Sequence, residues 1–157
     1  MRAISLWQPW ATAIALGAKT IETRHWYTEY RGPLVIHAAK RCVKSELKDL
    51  FEEREWRGVF HMCEWPDVLK ILPLGALVAV AQLVDCRPTE TFTAAVLDAQ
   101  RESGDAWWTE RDMGDFYPGR FGWVLKNIQP IVPPVPYKGS QGFFEVPERV
   151  LGLEART

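Results

Sequence analysis

The sequence is poor in the residues that build metal centres and disulfide frameworks. Among 157 residues there are three cysteines and three histidines. Cys42, Cys63 and Cys86 are odd in number and irregular in spacing, which argues against a disulfide-stapled scaffold and for a reducing compartment. The one close His/Cys pair, His61 and Cys63, lacks the CxxC or HxxxH spacing of a zinc site, so no metal or other cofactor is expected. No apolar run is long enough to cross a bilayer, and the longest, residues 75–84, is interrupted by Gln82 and reads as a buried strand. Met1-Arg2 leads into an amphipathic segment and not a signal peptide, so the expected location is cytoplasmic. Repeats, linkers and low-complexity tracts are also lacking, and one domain over residues 1–157 is expected. No nucleophile elbow, Ser-His-Asp order or Walker loop is recognisable.

Net charge is nearly absent too, at −1, which rules out a globally basic protein. The distribution is less even. Residues 1–48 carry eight Lys or Arg against three Glu, whereas residues 90–115 carry two Arg against seven acids. Such asymmetry favours an anionic partner near the N-terminal half, and it equally permits an internal match between the two segments. What is present in excess is tryptophan, eight residues. Rings of that size and amphipathic character are expected to line a groove in part and to bind there.

Short strands are expected at residues 3–7, 20–24, 34–38, 75–85, 121–128 and 143–146. A short helix over 11–16 follows Pro9 and ends on Gly17. Val43, Leu47, Leu50, Phe51 and Trp56 recur on one face of a helical pattern over 43–64, with a break at Gly58 and punctuation at Pro66. A second helix is expected over 90–102, N-capped by Thr89. Three prolines within 131–136 forbid a central strand there. Five or six strands with helices in no strict alternation point to an α+β fold, and a small barrel would leave few free edges.

Three constellations carry candidate chemistry. The first is the run Gly17 to His25, at a helix-to-strand corner. Strand alternation points Thr20, Glu22 and Arg24 one way and Ile21 and Thr23 the other, with Lys19 just before. Arg31 joins them beyond Trp26-Tyr27. The polar face suits a phosphate or a base edge; the alternative is a salt-bridge network that fixes the strand. The second is Trp7-Gln8-Pro9-Trp10, where an amide between two indoles suits a stacked base, or else where both rings are core anchors and Gln8 braces a turn. The third is Lys138-Gly139-Ser140-Gln141-Gly142, a loop open to close backbone approach by an anion, or simply a hairpin. His37 reads as a satisfied core histidine, and Glu110, Asp112 and Asp115 as a solvated acidic loop with a divalent ion as the alternative.

These residues carry a resemblance. Residues 5–40, SLWQPWATAIALGAKTIETRHWYTEYRGPLVIHAAK, closely resemble the opening of ASCH domains, the activating-signal-cointegrator homology family. The family's GxKxxExR signature stands here as Gly17, Lys19, Glu22 and Arg24. Residues 75–86, 121–131 and 137–146 are similar to later parts of the family pattern. The resemblance implies a PUA-like fold, a small β-barrel of five or six strands with flanking helices, and a cleft whose floor includes Lys19, Glu22 and Arg24. It also implies association with RNA, coactivator roles in transcription, and in some bacterial members ribonuclease or cytidine-amidohydrolase activity. The amidohydrolase branch has Thr where Glu22 stands, so the chain looks more like the coactivator type, freestanding.

Three functional readings follow. In the leading one the domain binds RNA or single-stranded nucleic acid, or a flipped nucleotide. Lys19, Arg24 and Arg31 neutralise phosphate; Trp7, Trp10 or Trp26 stack; Gln8 and Glu22 read a base edge; Lys138, Ser140 and Gln141 complete the interface. In the second the same cleft is a ribonuclease or nucleoside amidohydrolase. Lys19, desolvated beside Arg24, then acts as base or nucleophile, Glu22 orients it, and Ser140 positions substrate. In the third the acidic, Trp-bearing segment 105–116 makes the domain a protein-interaction adaptor. No membrane partner is expected in any of them.

Overall fold

The β-branched and alternating stretches of the chain pair into one six-stranded sheet. The computed structural model describes residues 1–60, 68–104 and 108–152. Its elements are β1 (Arg2–Leu6), α1 (Trp10–Ala15), β2 (Ile21–Arg24), β3 (Gly32–Ala38), α2 (Lys44–Glu52), α3 (Arg54–Val59), α4 (Val68–Ile71), β4 (Ala76–Pro88), α5 (Ala94–Leu97), α6 (Ala99–Glu102), α7 (Glu110–Met113), β5 (Phe121–Pro136) and β6 (Phe144–Glu145). Short 3-10 turns cover Thr89–Thr91 and Glu148–Leu151. The expectations placed on His61, Cys63, Pro66 and Trp107 fall outside the described residues. No described helix is long and apolar enough to cross a membrane.

The sheet order is β2-β5-β4-β3-β1-β6. Only β1 and β3 run parallel, with Ser5 opposite His37; the other neighbours are antiparallel. The α+β class and six strands stand as expected, but the barrel does not. β2 and β6 lie at opposite ends of the order and are not paired, so the sheet is open. One reason is that the outer edge of β2 is already occupied by side chains. The Glu110 carboxylate accepts from the Thr20 and Ile21 amides, and the Arg120 guanidinium donates to the Thr23 carbonyl at 3.2 Å. An edge whose polar groups are satisfied this way has little to offer a further strand.

Alternation along β1 sorts the core. Ile4 and Leu6 face α1, whose Ala11 and Ile14 are buried with Leu34, Ile36, Leu83 and Trp123. Ala3 faces the other way, onto Val35, Leu77 and Val146. A satellite core joins Ala13 to Leu47, Phe51, Trp56, Val59 and Met113 and so docks α2, α3 and α7 beside α1.

Two local expectations are corrected, and a third, at 131–136, stands. The helix expected over 43–64 breaks at Glu53, whose backbone is extended (φ −74°, ψ 134°), whereas Gly58 lies buried within α3. The helix expected over 90–102 is a 3-10 turn followed by α5 and α6. Thr93 is the N-cap of α5, and the Thr89 hydroxyl instead donates to the Tyr117 carbonyl at 2.7 Å. Residues 131–136 are the end of β5 and, as their prolines require, not a central strand. β2 pairs only with Phe121–Val124, and within 131–136 only Val135 and Pro136 pair with β4; residues 131–134 fall where the β4 register shifts, so Pro133 and Pro134 sit outside the ladder, where proline is tolerated.

Glu110→Ala leaves buried amides without their charged acceptor and is expected to cost about 3 kcal/mol in urea unfolding, the scale of hydrogen bonds to an ionised group. Glu102→Ala, at an exposed position, is the control and should change stability by under about 0.5 kcal/mol.

Candidate functional site

The helix-to-strand corner is wound tightly. Gly17 takes φ +76° at the end of α1, and the amides of Ala18 and Lys19 both donate to the Ala13 carbonyl, at 3.0 and 3.1 Å. That turn swings Lys19 inward, where it is wholly buried. Its ammonium donates to the Ile21 carbonyl and lies 3.7 Å from Glu22 Oε2. Glu22 Oε1 lies 3.5 Å from Arg24 Nε, and Arg24 Nη2 donates to the Ser5 carbonyl at 2.9 Å. Glu22 therefore sits between two cations, with Lys19 beneath it.

Glu22 and Arg24 form the floor of a cleft of about 530 Å³. One wall is aromatic, from Trp7, Trp10 and Trp56; Trp10 and Trp56 meet edge to face at 5.7 Å. Trp7 is 47% exposed and carries the Arg41 guanidinium 4.8 Å from its ring centre. The opposite wall comes from Asp112, Met113, Gly114, Asp115 and Arg120. Four carboxylates (Glu22, Glu53, Asp112, Asp115) thus face two arginines. Both arginines are engaged, Arg24 as above and Arg120 with Asp115 Oδ2 at 3.2 Å. Glu53 is held above the usual carboxylate range by partial burial and then by the nearby Glu55 and Asp112 charges. The first cleft leans acidic.

A second cleft, of about 980 Å³, opens across the Lys138–Gln141 loop. It shares Ser5 and Trp7 with the first. Its floor includes His37, whose Nε2 lies 3.0 Å from the Tyr137 carbonyl and whose Nδ1 lies 2.9 Å from Ser5 Oγ. A carbonyl only accepts, so Nε2 carries the proton and the Ser5 hydroxyl donates to Nδ1. Burial pushes His37 below its ordinary value, against the opposing pull of the Tyr137 carbonyl. Gly139 lies directly over this pair: a Cβ there would fall 2.3 Å from His37 Cε1 and 2.5 Å from Ser5 Oγ. Only glycine lets the loop backbone approach so closely.

The expected site residues thus divide. Trp7, Trp10, Glu22 and Arg24 line the first cleft, with Lys19 below the floor. Lys138, Ser140 and Gln141 line the second, with Trp7 common to both. Gln8 is buried, donating to the Pro73 carbonyl at 2.8 Å and accepting from the Thr12 amide at 3.1 Å. Trp26 packs on Trp123 and Phe143. Arg31 donates to the Thr28 and Tyr30 carbonyls and lies 3.6 Å from Asp85. These three line neither cleft. Lys19, Glu22 and Ser140, the expected catalytic set, do not face one cavity. The acidic loop is not simply solvated: Glu110 is 2% exposed, Asp112 closes a capping box with Thr109, and Asp115 pairs with Arg120. No group of three or more metal-ligating side chains occurs among the described residues. Sequence reasoning missed Trp56, Glu53 and Arg120 as cleft residues. The apolar face containing Trp56 was legible, but nothing local tied it to Glu22.

The ASCH domain family model matches residues 4–135. Activating signal cointegrator 1 of mouse and of human are each 27% identical over 150 residues, 94% of this chain. The chain spans about a fifth, 22%, of the length of each. Among solved structures, the ASCH protein of Zymomonas mobilis is 18% identical with a TM-score of 0.50, covering 97% of this chain and 91% of that one. A point variant of the same protein gives 0.51 at the same identity, covering 96% and 93%. At that identity the likeness concerns the fold.

Two outcomes test the geometry. Lys19→Ala removes one of the two cations that hold Glu22, together with a buried side-chain stem, and should lower unfolding free energy by about 3 kcal/mol, measured by chemical denaturation. His37 titrates near 6.5 when unfolded and lower when folded, so the unfolded chain binds the extra proton between the two. Its contribution to stability is complete above pH 6.5 and falls as the pH drops toward the folded value. The melting temperature of the wild type should decline over that window, and His37→Gln should remove that part of the decline.

Proposed function

The chain belongs to the ASCH domain family, and from that premise we propose that it binds RNA at an unpaired or flipped-out nucleotide, seating one base in the first cleft. The observation that carries this reading is an exposed indole, Trp7, beside a carboxylate, Glu22, fixed in place by its neighbours. Stacking on an aromatic ring contributes about 1–3 kcal/mol per base and tolerates any base. A carboxylate accepts hydrogen bonds from exocyclic amines and ring N–H groups, as Glu and Asp do from cytosine N4. The cleft volume of about 530 Å³ suits one such ligand.

The charge balance narrows what enters. Both arginines of its lining are already engaged by carboxylates, so no lining cation is left for a phosphate, and the cleft favours a base edge rich in donors. The role first expected for Lys19, Arg24 and Arg31 as phosphate grips is accordingly replaced. Lys19 and Arg24 hold Glu22, and Arg31 braces a turn.

Titration with a panel of free nucleosides, followed by NMR shift mapping, tests the reading. Signals at Trp7, Glu22, Arg24 and Asp115 should move, with nucleosides bearing an exocyclic amine binding more tightly than uridine. Trp7→Ala should weaken binding by about five- to a hundred-fold, the equivalent of one stacked base, and Glu22→Gln should narrow the gap between amine-bearing bases and uridine. Shifts confined to other surfaces would refute it.

A further inference from the structure

The second cleft differs from the first in sign. No carboxylate is among its lining residues, and two lysines, Lys40 and Lys138, are. Both are exposed, and neither is paired with a carboxylate among the described residues. In the first cleft the cations are already matched; in the second they are free. The two clefts meet at Ser5 and Trp7.

From this juxtaposition we infer that the second cleft is the phosphate subsite of the same single-stranded ligand. The inference rests on the base seat proposed above and extends it by one nucleotide. A base seated against Glu22 leaves the strand to pass over Trp7, and the adjoining phosphate meets Lys40 and Lys138. One side of the Trp7 ring carries Arg41, which adds positive charge beside the crossing point. The loop that carries Lys138 is seated on the sheet by Gly139, whose close approach to His37 and Ser5 admits no side chain. His37 is kept neutral by burial, so the positive charge of this cleft comes from the two lysines. The division assigns the two parts of a nucleotide to separate places: the donor-bearing base to the acidic cleft, the anion to the basic one.

The test compares an unstructured RNA hexamer with a free nucleoside, each titrated against wild type and the double variant Lys40→Gln/Lys138→Gln at several salt concentrations. Both substitutions are at exposed positions, and unchanged melting temperature certifies the fold. For the hexamer, log affinity should fall with log salt in wild type. The double variant should bind it more weakly, with a slope shallower by about 0.7, the single-strand value for the one phosphate both lysines hold. Nucleoside affinity should not change. The charge reversal Lys40→Glu/Lys138→Glu should weaken the hexamer further and again spare the nucleoside. Hexamer binding with an unchanged slope in both variants would overturn the phosphate subsite and leave the base seat standing. Hexamer binding that depends on the lysines without any nucleoside binding would do the reverse. Failure of wild type to bind either probe would remove both. Polyglutamate competing as well as RNA at equal charge would overturn the assignment to nucleic acid in favour of an acidic peptide.

Discussion

The ammonium of Lys19 is shut away from water, and a charge in that position is tolerated only while it is paired and hydrogen-bonded. The Ile21 carbonyl and the Glu22 carboxylate meet that demand, and in doing so they fix the carboxylate. Arg24 holds it from the other side and is itself tied to the backbone of β1 at Ser5. One polar chain thus joins the end of α1, the strand β2 and the strand β1. Its product is a carboxylate with little freedom left to lose, presented at a cleft floor. A side chain already ordered in the free protein adds little entropic cost when a ligand arrives.

The open sheet and the cleft have a common cause. The segment that supplies Glu110, Asp115 and Arg120 seals the outer edge of β2 with side-chain and backbone hydrogen bonds, and the same segment is the second wall of the cleft. Had another strand paired with that edge, the edge would be equally satisfied, but the wall would be gone. Closing the sheet into a barrel and keeping this wall are competing uses of one row of backbone groups. The chain uses them for the wall.

The corner itself was legible in the sequence. Period-two alternation correctly grouped Glu22 with Arg24, and the Gly17 stop correctly placed the turn. Lys19 was harder, because strand periodicity does not extend back across a helix cap, and it is the cap that turns the side chain inward. Gln8 was misleading for a similar reason. Its two indole neighbours suggest a base reader, yet its amide is spent on Pro73, sixty-five residues away, and on Thr12. The first cleft draws its walls from residues near 10, 56 and 115, and the second joins residues 40 and 138. Contacts over such separations leave no local pattern to find. The barrel expectation failed on the same ground, since closure depends on what covers an edge.

Net charge was a poor guide to this protein, and the reason is screening. At physiological ionic strength a charge is felt over about 8 Å, so a ligand responds to the groups lining the cleft it enters and little to the total. A sum of −1 conceals one cleft whose lining cations are all paired with carboxylates and another with two unmatched lysines. The basic N-terminal third does not simply neutralise the acidic segment at 90–115. Asp98 pairs with Arg111, Asp112 with Arg101 and Asp115 with nearby Arg120, while Glu110 is spent on backbone amides at the β2 corner. With the acids engaged locally, Lys40 and Lys138 keep their charge available at the surface. Trp7 stands where the two fields meet, and an aromatic ring is suited to that place. It offers contact area to a base, and the negative face of the ring already holds the Arg41 guanidinium.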